Sequence, residues 1–181
     1  MRKNKYLVVI GHPDKKSFCY NGIFKTIIRT FDKYMKSNEE YKIIDLYEDK
    51  LHRDKTEMIQ DYKNSVTWAT HLYFISPVWW FRLTPKTETF FDEVFTPGFA
   101  YNFVPIIGTY AFPKPMLPVV TLYLNSVKLR LVMGVYTFVF GWNLNRWRKT
   151  KQFWSVPFVD AKKRAKYLSI VKKDIRKDLN L

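Results

Sequence analysis

The stretch Tyr6-Leu-Val-Val-Ile10, followed at once by Gly11-His-Pro-Asp-Lys-Lys-Ser17, decides the fold class of this chain. Five consecutive apolar residues that stop at a glycine are typical of a strand buried on both faces of a parallel sheet. Ser17 can cap a helix in which apolar residues recur at helical spacing from Ile23 to Met35. A strand, a polar loop and a helix in this order predict the first half of a βαβ unit.

The same alternation continues to the end of the chain. Pro77 is expected to stop the third strand, Asp160 is expected to cap the last helix, and residues 136–140 belong either to a fifth strand or to the helix before it. The pattern predicts one α/β domain over residues 1–181, a doubly wound parallel sheet with helices on both faces. Strands are predicted at residues 6–10, 41–46, 72–76, 118–124 and 153–156, and helices at 18–37, 56–69, 87–95 and 161–178.

The charge of the chain is strongly positive and unevenly spread. The 181 residues include 31 Lys and Arg against 16 Asp and Glu, a net charge of +15, and residues 128–181 hold 14 basic and 3 acidic residues. A basic surface implies an anionic partner, which could be nucleic acid, a membrane or a phosphate-bearing cofactor. The single cysteine, Cys19, excludes a disulfide scaffold, and three distant histidines argue against a metal site.

Hydrophobic segments are too short for targeting or membrane insertion. The apolar run at residues 6–10 is shorter than a signal-peptide core, and the run at 131–142 is well below the roughly 20 residues of a membrane span. These lengths predict a cytoplasmic protein. Peripheral attachment to a membrane through the basic C-terminal third stays open.

Two loops at the predicted carboxyl ends of strands are candidates for ligand binding. Residues 11–18 combine a helix N-terminus with Lys15, Lys16 and the Ser17 hydroxyl, which suits a phosphate; the alternative is a polar turn with an ordinary serine cap. Residues 76–85 contain three consecutive aromatic side chains, which suit a planar aromatic ligand; the alternatives are a dimer contact or core packing.

Three further features have a structural interpretation that we prefer to the functional one. Residues 143–151 mix basic and aromatic side chains as nucleic-acid binders do, but a basic surface loop explains them as well. His71 precedes a buried strand and is expected to be a packed or capping histidine. Cys19 lies near a helix N-terminus, where a thiolate would be stabilised, but no histidine accompanies it in sequence.

Three ordered blocks at residues 8–18, 74–81 and 90–101 resemble the flavodoxin-like NAD(P)H:quinone oxidoreductases. That family includes the DT-diaphorase type, the bacterial modulators of drug activity and the ancillary flavoproteins of potassium-efflux channels. The resemblance covers residues 6–101. It implies a flavodoxin-like, five-stranded sheet, a homodimer, and ping-pong hydride transfer of two electrons from NAD(P)H to a quinone or similar acceptor. FMN is the implied cofactor, with FAD as the alternative.

The resemblance also implies the residues of the cofactor site. The sites of a homodimer of this family lie at the subunit interface, and residues 97–101 would lie near that interface. No catalytic acid or base is implied, because no Tyr or His corresponds securely to those of the DT-diaphorase type. Asn125-Ser126 stands where the family has a glycine pair, so contacts to the far edge of the flavin are expected to differ. The flavin phosphate would be held by His12, Lys16, Ser17, Phe18 and the backbone near Cys19, and the isoalloxazine ring by Pro77, Val78, Trp79, Trp80 and Phe81.

A second hypothesis belongs to a different class of function. A weakly catalytic regulator could keep the flavodoxin-like fold and bind a membrane protein or an anionic surface through its basic C-terminal third. The missing glycine pair and the charge of residues 128–181 motivate it. We expect no nucleic-acid partner.

Overall fold

Strands and helices alternate along the chain in the computed structural model, which describes residues 4–48, 54–79, 82–96, 98–99, 101–105, 109–113, 119–126, 147–154 and 160–181. The strands are β1 (Lys5–Ile10), β2 (Glu40–Asp45), β3 (His71–Trp79), β4 (Arg82–Leu83), β5 (Tyr101–Pro105), β6 (Thr109–Pro113), β7 (Val119–Ser126) and β8 (Trp147–Trp154). A π-helical turn (Phe18–Phe24) runs into α1 (Lys25–Tyr34), and the other helices are α2 (Lys55–Trp68), α3 (Pro85–Val94) and α4 (Ala161–Asp178).

The main sheet has the strand order β2-β1-β3-β7-β8, and each of these neighbours pairs in parallel. β4 adds a short antiparallel pairing at the end of β3, and β5 and β6 form a separate antiparallel ribbon. From β1 the chain goes to β2 on one side and then crosses to β3 on the other side. The strand order therefore reverses between β1 and β3, and this is the point where open α/β sheets bind ligands.

Two buried clusters cover the two faces of the sheet. Leu7 and Val9 of β1 pack with residues of α2 and α3, whereas Tyr6, Val8 and Ile10 pack with residues of α1 and α4. Successive side chains of a strand point to opposite faces, so a continuous apolar run is what a strand between two helical layers requires. The predicted parallel sheet with helices on both faces is confirmed.

The prediction that Pro77 stops the third strand is wrong. β3 continues to Trp79, and Pro77 lies opposite Asn125 in the register with β7. The carbonyl of Ile75 accepts a hydrogen bond from the Gly11 N–H on the β1 side, and Pro77, two residues later, faces the same side. Pairing with β1 ends before Pro77, so the missing proline N–H costs the sheet no hydrogen bond.

Other predicted boundaries differ from the structure in places. The first helix ends at Tyr34 instead of residue 37, and it begins with the π-helical turn. The strand predicted at 153–156 is β8, which begins at Trp147, so residues 147–151 belong to a paired strand and not to a basic loop. The ribbon of β5 and β6 was not predicted. Residues 136–140 lie outside the described part of the chain.

His71 is a packed histidine, as predicted. Its Nδ1 lies 3.0 Å from the Thr70 hydroxyl, and its ring contacts the Tyr6 ring with centroids 5.1 Å apart. It lies at the amino end of β3, the end opposite the two candidate loops. Among the described helices, none combines the length and the apolar character that a membrane crossing needs.

Candidate functional site

The loop after β1 and the end of β3 meet at the carboxyl edge of the sheet, beside the reversal in strand order. Residues 11–17 leave β1 and lead into the π-helical turn, while Pro77, Val78 and Trp79 extend β3 past its last pairing with β1. The contact between them is an edge-to-face pair of the His12 and Trp79 rings, whose centroids are 5.8 Å apart. The structure thus brings together the two segments that the sequence singled out separately.

Hydrogen bonds around Asp14 give the first loop a fixed shape. The Asp14 N–H donates to His12 Nδ1 at 2.9 Å, the Lys16 N–H donates to Asp14 Oδ1 at 2.7 Å, and the Ser17 N–H donates to the Asp14 carbonyl at 3.1 Å. An aspartate that accepts from the backbone two residues further on is a common device for fixing a turn. The loop is therefore shaped by its own bonds before any ligand arrives.

Ser17 caps the helix that follows this loop. Its Oγ accepts a hydrogen bond from the Tyr20 N–H at 3.2 Å, and the Asn21 side-chain amide donates to the Lys15 carbonyl at 2.6 Å. Because the serine oxygen acts as an acceptor toward the backbone, its hydroxyl proton is available to donate to an anion. The helix N-terminus adds a positive dipole end, so the loop can hold a phosphate.

The two lysines of this loop have different surroundings. Lys15 forms an ion pair with Glu48, which follows β2, whereas Lys16 is exposed on the loop. An exposed pair of this kind adds little stability, but it draws Lys15 toward the β2 side of the loop. Lys16, the lysine that the resemblance implies as a phosphate ligand, lies next to the Ser17 cap.

His12 is a buried imidazole, with 7% of its surface exposed. Burial lowers the pKa of His12 below its usual 6.5, while the charge of the Asp14 carboxylate opposes that shift. Since Nδ1 accepts from the Asp14 N–H, the neutral ring carries its proton on Nε2. His12 therefore offers a fixed donor at the site and no positive charge near neutral pH.

The aromatic segment is only partly within the described residues. Pro77 is buried, Val78 is half-buried, and Trp79 has 44% of its surface exposed, which is high for a tryptophan. Val78 and Trp79 pair with Leu83 and Arg82 of β4, which fixes the backbone at the end of β3. Trp80 and Phe81 lie outside the described part of the chain, so their predicted roles at the ring stay predictions.

Phe18 and Cys19 begin the π-helical turn. The Cys19 side chain is fully buried in the core beneath α1, so only its backbone can contribute to a ligand site at the loop. Phe18 is half-buried and packs on Gly22, where a Cβ would come within 2.7 Å of the phenyl ring. A nucleophilic role for the Cys19 thiol does not fit this burial.

A buried cluster of hydroxyl groups under the first loop was not predicted from the sequence. The Thr84 hydroxyl donates to the Gly11 carbonyl at 2.7 Å and lies 2.8 Å from the Thr87 hydroxyl, which donates to Ser76 Oγ at 3.4 Å. A Cβ on Gly11 would lie 1.8 Å from Thr87 Oγ1, so this position requires a glycine. Thr84 directly before Pro85 is a helix-start signal that could have drawn attention to the cluster.

A second missed contact joins the helix start to the end of β2. The Tyr20 hydroxyl donates to Asp45 Oδ2 at 2.9 Å, and Asp45 Oδ1 accepts from the Tyr47 N–H at 3.0 Å. Burial and the neighbouring Asp45 carboxylate raise the pKa of Tyr20 to about 12. Tyr20 is therefore protonated at physiological pH and acts as a structural donor. Within the described residues, His, Cys, Asp and Glu side chains form no group of three suited to a metal ion.

The sequence profile of the family described as "flavodoxin-like fold" matches residues 4–121, about two thirds of the chain. The chain belongs to the flavodoxin-like fold family. The family predicted from residues 8–18, 74–81 and 90–101 is thus confirmed at this level. No curated protein matches the chain.

Solved structures with the same fold extend the likeness over nearly the whole chain. Smu.1420 of Streptococcus mutans is 22% identical with a TM-score of 0.68, covering 96% of this chain and 99% of that one. An NAD(P)H:quinone oxidoreductase of Methanothermobacter marburgensis is 15% identical with a TM-score of 0.69, covering 97% and 98%. An FMN-dependent NADH-azoreductase of Bacillus anthracis, solved with FMN, is 16% identical with a TM-score of 0.69, covering 98% of each chain. At these identities the likeness shows the fold.

Proposed function

We propose that this chain is a flavin-dependent NAD(P)H oxidoreductase that transfers two electrons to a quinone or a similar acceptor. The observation that carries the proposal is the meeting of a phosphate-competent loop, residues 11–17, with the exposed ring of Trp79 at the reversal in strand order. This is the position at which sheets of this topology bind mononucleotides. The names of the neighbours in Methanothermobacter and Bacillus, a quinone oxidoreductase and an FMN-dependent azoreductase, support it.

The residues of the first loop fit the phosphate end of a flavin nucleotide. The Ser17 hydroxyl, the Lys16 ammonium group and the backbone N–H groups at the start of the π-helical turn are all donors. The internal bonds of Asp14 hold the backbone of the loop in place in advance, so little backbone entropy is lost when an anion binds. Cys19 would contribute its backbone only.

The end of β3 fits the ring of the flavin. The exposed indole of Trp79 offers an apolar surface for a planar ligand, and the His12 ring beside it carries a donor on Nε2. A bound flavin would supply the hydride-transfer chemistry. The chain would supply orientation, a stacking surface and hydrogen-bond donors. We propose a ping-pong mechanism, in which NAD(P)H and the electron acceptor react in turn at this one site.

The proposal extends to the cofactor, the oligomeric state, the number of strands and the location of the protein. We favour FMN over FAD because the azoreductase neighbour is FMN-dependent and was solved in complex with FMN. A homodimer in which a second copy covers Trp79 would account for the exposure of this indole. The five parallel strands would be the complete main sheet of the domain, in a cytoplasmic protein.

The test is flavin binding by the purified full-length chain. We expect a flavin absorption spectrum after isolation or after addition of FMN, and NAD(P)H oxidation that depends on a quinone. Trp79→Ala should weaken FMN binding about tenfold, or about 1.4 kcal/mol, through the lost ring contact. Trp68→Ala, at the C-terminal end of α2, where the indole is half-buried beneath the Lys42 ammonium group, is the matched control and should change FMN affinity by no more than about twofold.

Failure to bind both FMN and FAD, together with no NAD(P)H oxidation, would refute the proposal. Equal losses of affinity in the two tryptophan variants would refute the assignment of Trp79 to the ring. The alternative of a weakly catalytic regulator that binds through its basic C-terminal third stays a prediction. It would gain support if the chain bound an anionic partner equally well with and without flavin.

A further inference from the structure

The two helical layers of the molecule carry opposite net charge. α1 and α4, on one face of the sheet, contain eleven basic and three acidic residues, a net charge of +8. α2 and α3, on the other face, contain three basic and five acidic residues, a net charge of −2. Among the helices, the positive charge is therefore carried by the layer of α1 and α4.

The exposed charged residues on the outward side of α4 are all cations. Tyr167, Val171 and Ile175 are buried against the sheet, and the opposite side of the helix presents six exposed cations over about 22 Å of helix length. The helix has two acidic residues: Asp174 lies at the flank, half-buried, and Asp178 is buried. The six cations are Lys162, Lys166, Lys172, Lys173, Arg176 and Lys177.

α1 extends this surface, since it packs beside α4 in the same buried cluster. The Arg176 guanidinium lies 5.2 Å from the centre of the Tyr34 ring, and the Lys33 ammonium lies 5.3 Å from the same ring. Lys25 and Arg29 are also exposed on α1. We call the six cations of α4 together with Lys25, Arg29 and Lys33 the cationic face.

We propose that the cationic face binds the surface of a bilayer that contains anionic phospholipids. A cluster of this size on an amphipathic helix is the kind that attracts acidic lipid headgroups. Seven of the nine cations are lysines, which act as point charges, whereas reading of nucleic acid relies on Arg forks and exposed stacking rings. The Tyr34 ring, which contacts this face, is half-buried and lies close to both Lys33 and Arg176.

This inference does not depend on the proposed oxidoreductase activity, because the cationic face shares no residue with the loop at residues 11–17 or with Trp79. Each lysine near an anionic bilayer contributes about fivefold to partitioning, which is about 1 kcal/mol. The loss of three outward lysines should therefore reduce binding by about 100-fold. The attraction should also weaken steeply as salt screens the charges.

The experiment measures sedimentation of the full-length chain with vesicles of phosphatidylcholine, with and without phosphatidylserine, at low salt. The test variant combines Lys162→Gln, Lys166→Gln and Lys173→Gln. The matched control combines Lys55→Gln, Lys63→Gln and Lys86→Gln on α2 and α3, with the same change in net charge. Circular dichroism checks that both variants are folded.

We expect binding only to vesicles that contain phosphatidylserine, loss of about 100-fold in the test variant, and loss of no more than about fivefold in the control. No binding to these vesicles by the folded wild-type chain would overturn the proposal. Equal losses in the two variants would also overturn it, since net charge alone would then explain the attraction. Tighter binding to duplex DNA than to the vesicles, lost in the test variant, would assign the face to nucleic acid instead.

Discussion

Replacement of Gly11 by alanine tests whether the hydroxyl cluster under the first loop determines its position. The new Cβ would lie 1.8 Å from Thr87 Oγ1, which is 1.6 Å short of the 3.4 Å at which ordinary contact begins. The Thr87 hydroxyl must then move and give up its contacts with Thr84 and Ser76. Overpacking costs about 1–3 kcal/mol, and a lost buried hydrogen bond costs about 0.5–1.5 kcal/mol.

We therefore expect Gly11→Ala to lower the free energy of unfolding by about 2–4 kcal/mol, a drop of roughly 30- to 700-fold in the ratio of folded to unfolded chains. The measurement is urea denaturation followed by circular dichroism, with the slope against urea unchanged. FMN affinity should fall as well if the loop binds the flavin phosphate, because the Gly11 carbonyl is held by Thr84 at the base of that loop.

A double-mutant cycle identifies the cause of this loss. Thr87→Ala removes the oxygen that meets the new Cβ and should by itself cost about 1 kcal/mol. In the Thr87→Ala background, Gly11→Ala should lower the free energy of unfolding by at least about 1 kcal/mol less than it does in the wild type. The two effects are not additive because the side chains at positions 11 and 87 would be in direct contact. Thr89→Ala, on the exposed side of the same helix, is the control. Combined with Gly11→Ala, it should give a loss in free energy of unfolding equal to the sum of the two single losses. The reasoning is refuted if Thr87→Ala and Thr89→Ala behave alike.

Three further predictions concern single contacts. Ser17→Ala removes the helix cap and should lower the free energy of unfolding by about 1 kcal/mol in urea titration; an unchanged midpoint would argue against the cap. His12, followed by NMR, should titrate below pH 6.5, and stability should fall as the pH drops through that range, because the unfolded chain then binds the proton more tightly. Asp14→Asn should lower the pKa of His12 further, since a nearby negative charge is lost; a rise would contradict the assignment. Tyr73→Phe deprives the buried Asp178 carboxylate of a donor at 2.5 Å and should cost about 1–3 kcal/mol in thermal or urea unfolding, whereas no loss would show that Asp178 is satisfied without it.

The parts of the fold that depend on local pattern were predictable. The apolar run at residues 6–10 matches β1 within one residue, and Asp160 caps α4 through the Lys163 N–H as its sequence position indicated. The end of β3 was not predictable locally, because whether Pro77 breaks a strand depends on where β1 ends beside it. The charged residues at 147–151 suggest a loop, and their pairing with β7 is a tertiary effect that overrides that preference.

In the candidate site, too, the features that depend on local sequence were predictable and those that depend on tertiary contacts were not. Ser17 and the loop at residues 11–18 were identified from a short segment whose chemistry is local. The cluster of Gly11, Ser76, Thr84 and Thr87 was missed because its members are far apart in sequence and meet only where β1, β3 and α3 converge. Single threonines of this kind carry no distinctive pattern, so only the fold shows that they act together.

The arrangement of layers determines which way the site would open if the molecule were held on a flat support. Strands run within the plane of the sheet, and the helices lie above and below that plane, so the loops at the carboxyl edge point along the strands, parallel to the helical layers. A molecule resting on α1 and α4 would therefore open sideways, parallel to the support. Small molecules could enter and leave from the water layer, or from lipid alongside, while the molecule diffused in two dimensions without detaching.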